Sequence, residues 1–263
     1  MSLPPRTAGI AAVVLSFALL AGCERSAPGS TADSAVRGAA ADDGDDRSLA
    51  TVPVSRNSSD SSHTNAIAAH DTAAEPIVLF IGTSLTAGYG VDPSDAYPAV
   101  VGRMLDSAGH PVRIVNAGVS GETSAGARSR IGWVLRQPAN VIVIETGAND
   151  GLRGLSVDAA RQNIDAILDT VHARQPSARV LLVQMEAPPN LGATYTSRFH
   201  AMYPELAKEH HVELVPFLLG GVAGIASLNQ EDGIHPNRAG ARIVARTVYD
   251  ALIRRALVTT STR

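Results

Sequence analysis

The sequence predicts an α/β protein, a three-layer α/β/α sandwich built on a five-stranded parallel sheet. Two observations predict it. Short runs rich in Val, Ile and Leu recur at Ile77–Ile81, Val112–Val115, Val141–Ile144, Val180–Val183 and Val212–Phe217. The first of these is five large apolar residues without polar alternation, the pattern of a strand buried on both faces. Between the runs lie segments of helical periodicity, and strands alternating with helices of that length imply a parallel sheet covered on both sides. With 263 residues, 45% of them hydrophobic, the chain can bury one good-sized core, so one domain is expected. A net charge of -3 gives no electrostatic case for nucleic acid.

The chain before the first strand has a different character. Residues 1–22 carry a single cation, Arg6, and the eleven-residue apolar run Ile10–Leu20. That run is too short to span a bilayer, which takes about 20 residues, and fits the core of a secretory signal peptide. Leu20-Ala21-Gly22-Cys23 resembles the lipobox of bacterial lipoproteins, in which the leader is removed and the cysteine lipidated. Cys23 is the only cysteine, which excludes a disulfide within one molecule. Residues 23–75 lack Phe, Trp and Tyr and contain the cluster Asp42-Asp43-Gly44-Asp45-Asp46. Such a composition cannot bury enough apolar surface to order itself, so an acidic tether with a typical reach of roughly 40 Å is expected. A cation or partner bound by the acidic cluster is the alternative to a simple solvated run. The folded domain is expected at 76–256, with a short tail at 257–263.

Within the domain, Gly82 ends the first strand and places Ser84 on a tight turn at the carboxyl edge of the sheet, where open α/β folds bind ligands. Ser84 is thereby a candidate nucleophile. Thr86 stands where the G-x-S-x-G elbow of the α/β-hydrolases would require its second glycine. Helices are expected at Asp95–Ala108, Ala125–Arg136, Ser156–Arg174 and Ser197–Glu209. Ser156 is placed to cap the third, whose stripe is Ile164, Ile167, Leu168 and Val171. A last helix begins after Asn237 with Ile243, Val244, Val248 and Leu252 expected inward. The polar residues Gly121-Glu122-Thr123, Asn149-Asp150 and Asp232 with His235 each follow a strand, so all converge with Ser84 on one edge. The loop from Leu218 to Pro236 is long enough to bring the last pair back. Asp-x-x-His also occurs in metal sites, but no further ligand stands at the right spacing and His210-His211 is expected to face solvent, so no metal is expected.

Gly82-Thr-Ser84-Leu-Thr-Ala-Gly, Asn116-Ala-Gly-Val-Ser-Gly121-Glu-Thr-Ser, Gly147-Ala-Asn149-Asp150-Gly-Leu-Arg-Gly and Asp232-Gly-Ile-His235-Pro-Asn resemble the four signature blocks of the SGNH, or GDSL, hydrolases. They run in the right order from about Ile77 to about Leu252, and within the family are most similar to bacterial thioesterase I, a multifunctional arylesterase and lysophospholipase. The resemblance implies a flavodoxin-like sandwich and a serine esterase acting on an acyl ester or thioester. It implies Ser84 as nucleophile, His235 as general base and Asp232 as the acid that orients it. The backbone N–H groups of Ser84 and Gly121 and the side-chain amide of Asn149 would form the oxyanion hole. Independently, a serine hydroxyl needs a histidine to take its proton and a carboxylate to fix the imidazole tautomer. One departure stands out: the family block usually reads Gly-Asp-Ser, and here Thr83 replaces the aspartate.

The segment from Ala187 to Tyr195 is similar to the loop that covers the acyl chain in thioesterase I, with Leu191 and Tyr195 as possible apolar wall. Plain turn chemistry explains its Pro and Gly equally well. No cofactor is expected. The expected partners are the ester substrate and, through Cys23, a membrane, with the protein a monomer at the cell envelope. A carbohydrate O-acetyl esterase and a non-catalytic envelope binding protein are the competing readings.

Overall fold

The computed structural model describes residues 75–257. The expected leader at 1–22, the lipidation site Cys23, nearly all of the 23–75 tether and residues 258–263 lie outside the described residues. Within them, five strands form one parallel sheet: β1 (Ile77–Gly82), β2 (Arg113–Gly118), β3 (Val141–Ile144), β4 (Arg179–Val183) and β5 (Glu213–Val215). Their order across the sheet is β2-β1-β3-β4-β5.

The order reverses direction at β1, and that reversal distributes the helices. A right-handed crossover from β1 to β2 puts its helix on one face, while crossovers running the other way from β2 through β5 put theirs on the opposite face. Accordingly α2 (Tyr97–Ser107) packs with α7 (Arg238–Ala251), and α5 (Val157–Arg174) packs with both α3 (Ser124–Val134) and α6 (Ala193–Glu209). Two short helices, α1 (Ser84–Ala87) and α4 (Ala148–Leu152), sit directly after β1 and β3. The central strands are closed to solvent on both faces, with Val78, Phe80, Ile142 and Val143 fully buried. This is the expected α/β/α sandwich, and its reversal point lies between β1 and β3, whose following connections leave to opposite faces, the usual place for a ligand in such sheets.

Several boundaries differ for physical reasons. The expected second strand, Val112–Val115, is displaced to Arg113–Gly118, because β2 pairs with all six residues of β1, from Ile77 opposite Arg113 to Gly82 opposite Gly118. As an edge strand it is only partly buried, so its apolar run under-reads its length. The expected fifth strand stops at Val215, since Pro216 has no N–H to continue the ladder. Ile243, expected inward, is 37% exposed; the buried stripe of α7 runs through Gly240, Ala241, Val244, Ala245 and Val248 instead. His210, expected in solvent, is largely covered and its Nε2 lies 2.7 Å from Asp165 Oδ1.

Candidate active site

The end of β1 turns without a loop into α1. Thr83 is the N-cap, its hydroxyl oxygen accepting weakly from Leu85 N at 3.5 Å, and Gly88 ends the helix in the left-handed region with φ 77°. Ser84 is therefore the first helical residue, held at the carboxyl edge of the sheet. The side-chain amide of Asn116 on β2 donates to the Thr86 carbonyl at 2.7 Å and ties this turn to the neighbouring strand.

The loop after β5 returns to it. Gln230 N donates to the His235 carbonyl at 2.8 Å, and Gln230 Nε2 donates to the carbonyl of Pro236 at 3.0 Å and of Tyr89 at 2.7 Å, linking the loop to the Ser84 turn. Asn237 caps α7 by accepting from Ala239 N and Gly240 N. These ties leave His235 with Nε2 2.9 Å from Ser84 Oγ and Nδ1 2.6 Å from Asp232 Oδ2. The other carboxylate oxygen, Asp232 Oδ1, accepts from Ile234 N at 2.9 Å and His235 N at 3.0 Å. Those donors, first among them the His235 backbone amide, pull the Asp232 carboxyl down from 3.8 to about 2, so it stays charged through the mildly acidic range. The Tyr89 ring lies over His235 with centroids 4.7 Å apart.

Opposite stand the loop after β2 and the start of α4. Gly121 has φ 76°, a backbone state that favours glycine, and its carbonyl accepts from Arg153 at 3.0 Å. Glu122 is locked by Arg130 through two 2.6 Å contacts, while Arg130 also donates to the Ala117 carbonyl at 2.8 Å. Asn149 Nδ2 donates to the Glu122 carbonyl at 3.0 Å, leaving its second N–H available. Beside it the buried Asp150 accepts from Ser124 N at 2.8 Å and Ser124 Oγ at 2.6 Å, which fixes α3 and α4 relative to each other. A cavity of about 320 Å³ opens between the two halves. Ser84, Ser120, Gly121, Asn149 and His235 form its polar side, and Leu85, Leu152, Met185, Phe217, Leu219 and Ile234 its apolar side.

Ser84, Gly121, Asn149, Asp232 and His235 are thus brought together. Leu191 and Tyr195 are not: neither lines the cavity. Tyr195 stacks on Phe199 at 6.1 Å and donates to the Leu155 carbonyl at 2.7 Å, and Leu191 packs beside Gly154, so both brace the turn after α4. The apolar wall comes instead from Met185, Phe217 and Leu219, on segments after β4 and β5 that carried no catalytic motif, and from Ile234, inside the Asp232–Asn237 block. Sequence reasoning also passed over two carboxylates, Glu186 at the cavity wall and the fully buried Glu145 under the Ser84 turn. Among the described residues no group of three or more His, Cys, Asp or Glu could hold a metal ion.

Residues 80–243 match the GDSL-like Lipase/Acylhydrolase family, a span that contains all four blocks. The chain belongs to that family. It is 38% identical over 182 residues to esterase TesA of Pseudomonas aeruginosa, covering 68% of this chain and 89% of the relative. It is likewise 38% identical over 174 residues to thioesterase 1/protease 1/lysophospholipase L1 of Escherichia coli K12, covering 66% and 81%. The crystal structure of TesA superposes with a TM-score of 0.64 at 36% identity, covering 67% of this chain and 97% of the other. As a member of the GDSL-like family the protein is a hydrolase of ester bonds, and its fold is the sandwich that the family shares.

Proposed function

We propose that the protein is a serine esterase that cleaves acyl esters or thioesters through an acyl-enzyme, with Ser84 as nucleophile, His235 as general base and Asp232 as its orienting acid. The observation that carries this is the continuous chain from Ser84 Oγ to His235 Nε2 at 2.9 Å and from His235 Nδ1 to Asp232 at 2.6 Å, at the rim of the cavity. Asp232 accepts a hydrogen bond from Nδ1–H, which keeps the proton on that nitrogen and leaves Nε2 free to take the proton of Ser84. In the first step the Ser84 Oγ–carbonyl carbon bond forms, the Ser84 proton passes to His235, and the carbonyl oxygen becomes an anion. The amides of Ser84 and Gly121 and the Asn149 side chain are the donors for that anion. The leaving group then departs with the proton held by His235, and water, activated by the same imidazole, releases the acid.

The largely apolar cavity wall favours an acyl chain over a sugar, which supports this reading above the carbohydrate O-acetyl esterase. The joined Ser84, His235 and Asp232 favour an enzyme over a passive binding module. The apolar leader and Leu20-Ala21-Gly22-Cys23 support export and attachment to a membrane through lipid on Cys23. Hydrolysis of p-nitrophenyl esters of increasing acyl length tests the activity. We expect turnover by the wild type and at most background by Ser84→Ala; a Ser84→Ala enzyme with wild-type turnover would remove Ser84 from the chemistry.

A further inference from the structure

Beneath the Ser84 turn lies a carboxylate that the mechanism above does not use. Glu145, the residue after β3, is closed to solvent. Its Oε2 accepts from Thr83 N at 2.8 Å and from Thr86 Oγ1 at 2.9 Å, and the Thr83 hydroxyl lies 3.0 Å from both of its oxygens. The Tyr97 hydroxyl stands 2.9 Å behind Thr86 Oγ1, so donation runs in one direction, from Tyr97 to Thr86 to Glu145. Gly82 leaves the space for this: a Cβ there would run into the Thr86 hydroxyl and lie 2.6 Å from Glu145 Oε2. Among the described residues no cation is ion-paired to Glu145. A buried carboxylate held only by amides and hydroxyls costs folding free energy, so its retention calls for a role.

We propose that Glu145 is a positioning residue for Ser84: as an anion it binds the threonines on both sides of the serine and fixes the turn that presents the nucleophile. The inference rests on the reading of Ser84 given above. The turn needs such an anchor, because a four-residue helix is far shorter than the roughly 12–15 residues at which isolated helices become even marginally stable. Thr83 and Thr86 are its N-cap and third residue, so holding both fixes the backbone N–H of Ser84 and the direction of its Oγ together. The anion is the form that does this. Every group facing the carboxylate is a donor, and the Thr83 amide cannot turn round to accept from a protonated acid. Burial pushes Glu145 up from 4.5 to about 7, so its proton is gained within the working range. The titratable groups that face or sense it are Tyr97 on α2 and Tyr203 on α6, whose own ionisation burial and the Glu145 charge both push upward. Loss of kcat/KM on the acid side should therefore include the protonation of Glu145.

The test is Glu145→Gln, assayed by p-nitrophenyl ester hydrolysis from pH 5 to 9 with thermal unfolding in parallel. We expect kcat to fall on the order of 10-fold or more, as for loss of other groups that orient a reacting side chain, with KM little changed. The acid limb should lose one proton of steepness. A folded Glu145→Gln enzyme with wild-type kcat and an unchanged acid limb overturns the proposal, whatever its melting temperature. Should that variant not fold, Thr83→Val and Thr86→Val each remove one hydroxyl donor. Lower kcat with an acid limb moved to higher pH supports the proposal, and wild-type kcat and profile in both overturn it. Wild-type protein that hydrolyses no ester would overturn the nucleophile reading and this inference with it, whereas an active wild type matched by Glu145→Gln overturns this inference alone.

Discussion

Replacing Thr83 by aspartate, the residue usual in the family block, would set a second carboxylate against Glu145. The Thr83 hydroxyl lies 3.0 Å from both Glu145 oxygens, so the new carboxylate would have oxygens at about that separation. Two unit charges about 3 Å apart repel by about 5 kcal/mol at an effective dielectric of about 20, which corresponds to about 4 pH units. The pair should then keep one proton across neutral pH, as adjacent carboxylates do. In the wild type, burial raises Glu145 from 4.5 to about 7. A group raised by folding supports the fold fully below its unfolded value and loses that support as pH climbs to its folded value. For wild-type Glu145 the loss falls between pH 4.5 and about 7 and ends there. For Thr83→Asp it should continue upward, at about 1.4 kcal/mol per pH unit, so that about 2 kcal/mol more is lost between pH 7 and 9 than in the wild type. Urea unfolding of both proteins at these pH values, followed by far-UV circular dichroism, measures that difference. Trp133, the only tryptophan, is 68% exposed and would report the core poorly. Equal changes in the two proteins would refute the placement of residue 83 against Glu145.

Two further outcomes follow from the site. Asn149→Ala should lower kcat by about 10²- to 10³-fold with a much smaller effect on KM, because the oxyanion role proposed for the amide acts on charge that develops only during attack; steady-state kinetics on a p-nitrophenyl ester would show it, and unchanged kcat would take Asn149 out of the oxyanion hole. Glu186 is the one carboxylate lining the cavity, with His200 Nδ1 2.7 Å from its Oε1. Glu186→Gln should raise kcat/KM for an ester with an anionic acyl terminus relative to its neutral analogue, with the gain shrinking at high salt; a ratio that stays at the wild-type value would place the substrate away from this wall.

The parts of this protein that could be read from sequence share a physical property: they depend on local pattern. Val141–Ile144 is a buried central strand, and its four apolar residues were enough to set its limits. The polar residues after β1, β2, β3 and β5 could be placed together because parallel strands put their carboxyl ends on one edge. What failed depended on partners distant in the chain. The length of β2 follows from pairing with β1, not from its own half-polar sequence. Helices α1 and α4 have four and five residues, too few to show periodicity. Leu191 and Tyr195 were assigned by likeness to a loop, yet the Tyr195 hydroxyl is drawn 40 residues back along the chain to the Leu155 carbonyl. Glu145 offered one visible signal, an acid directly behind a fully apolar run. Its meaning lies in Thr83 and Thr86, 62 and 59 residues before it.

Catalysis by this site depends on the union of Ser84 with His235 across 151 residues of chain, as proposed above. Treating the protein with a fluorophosphonate and mapping the adduct by mass spectrometry of its peptides tests it most directly. One phosphonyl group should appear on the peptide containing Ser84, and His235→Ala should slow its formation by orders of magnitude. Modification of a different residue, or equal rates with and without the imidazole, would contradict it.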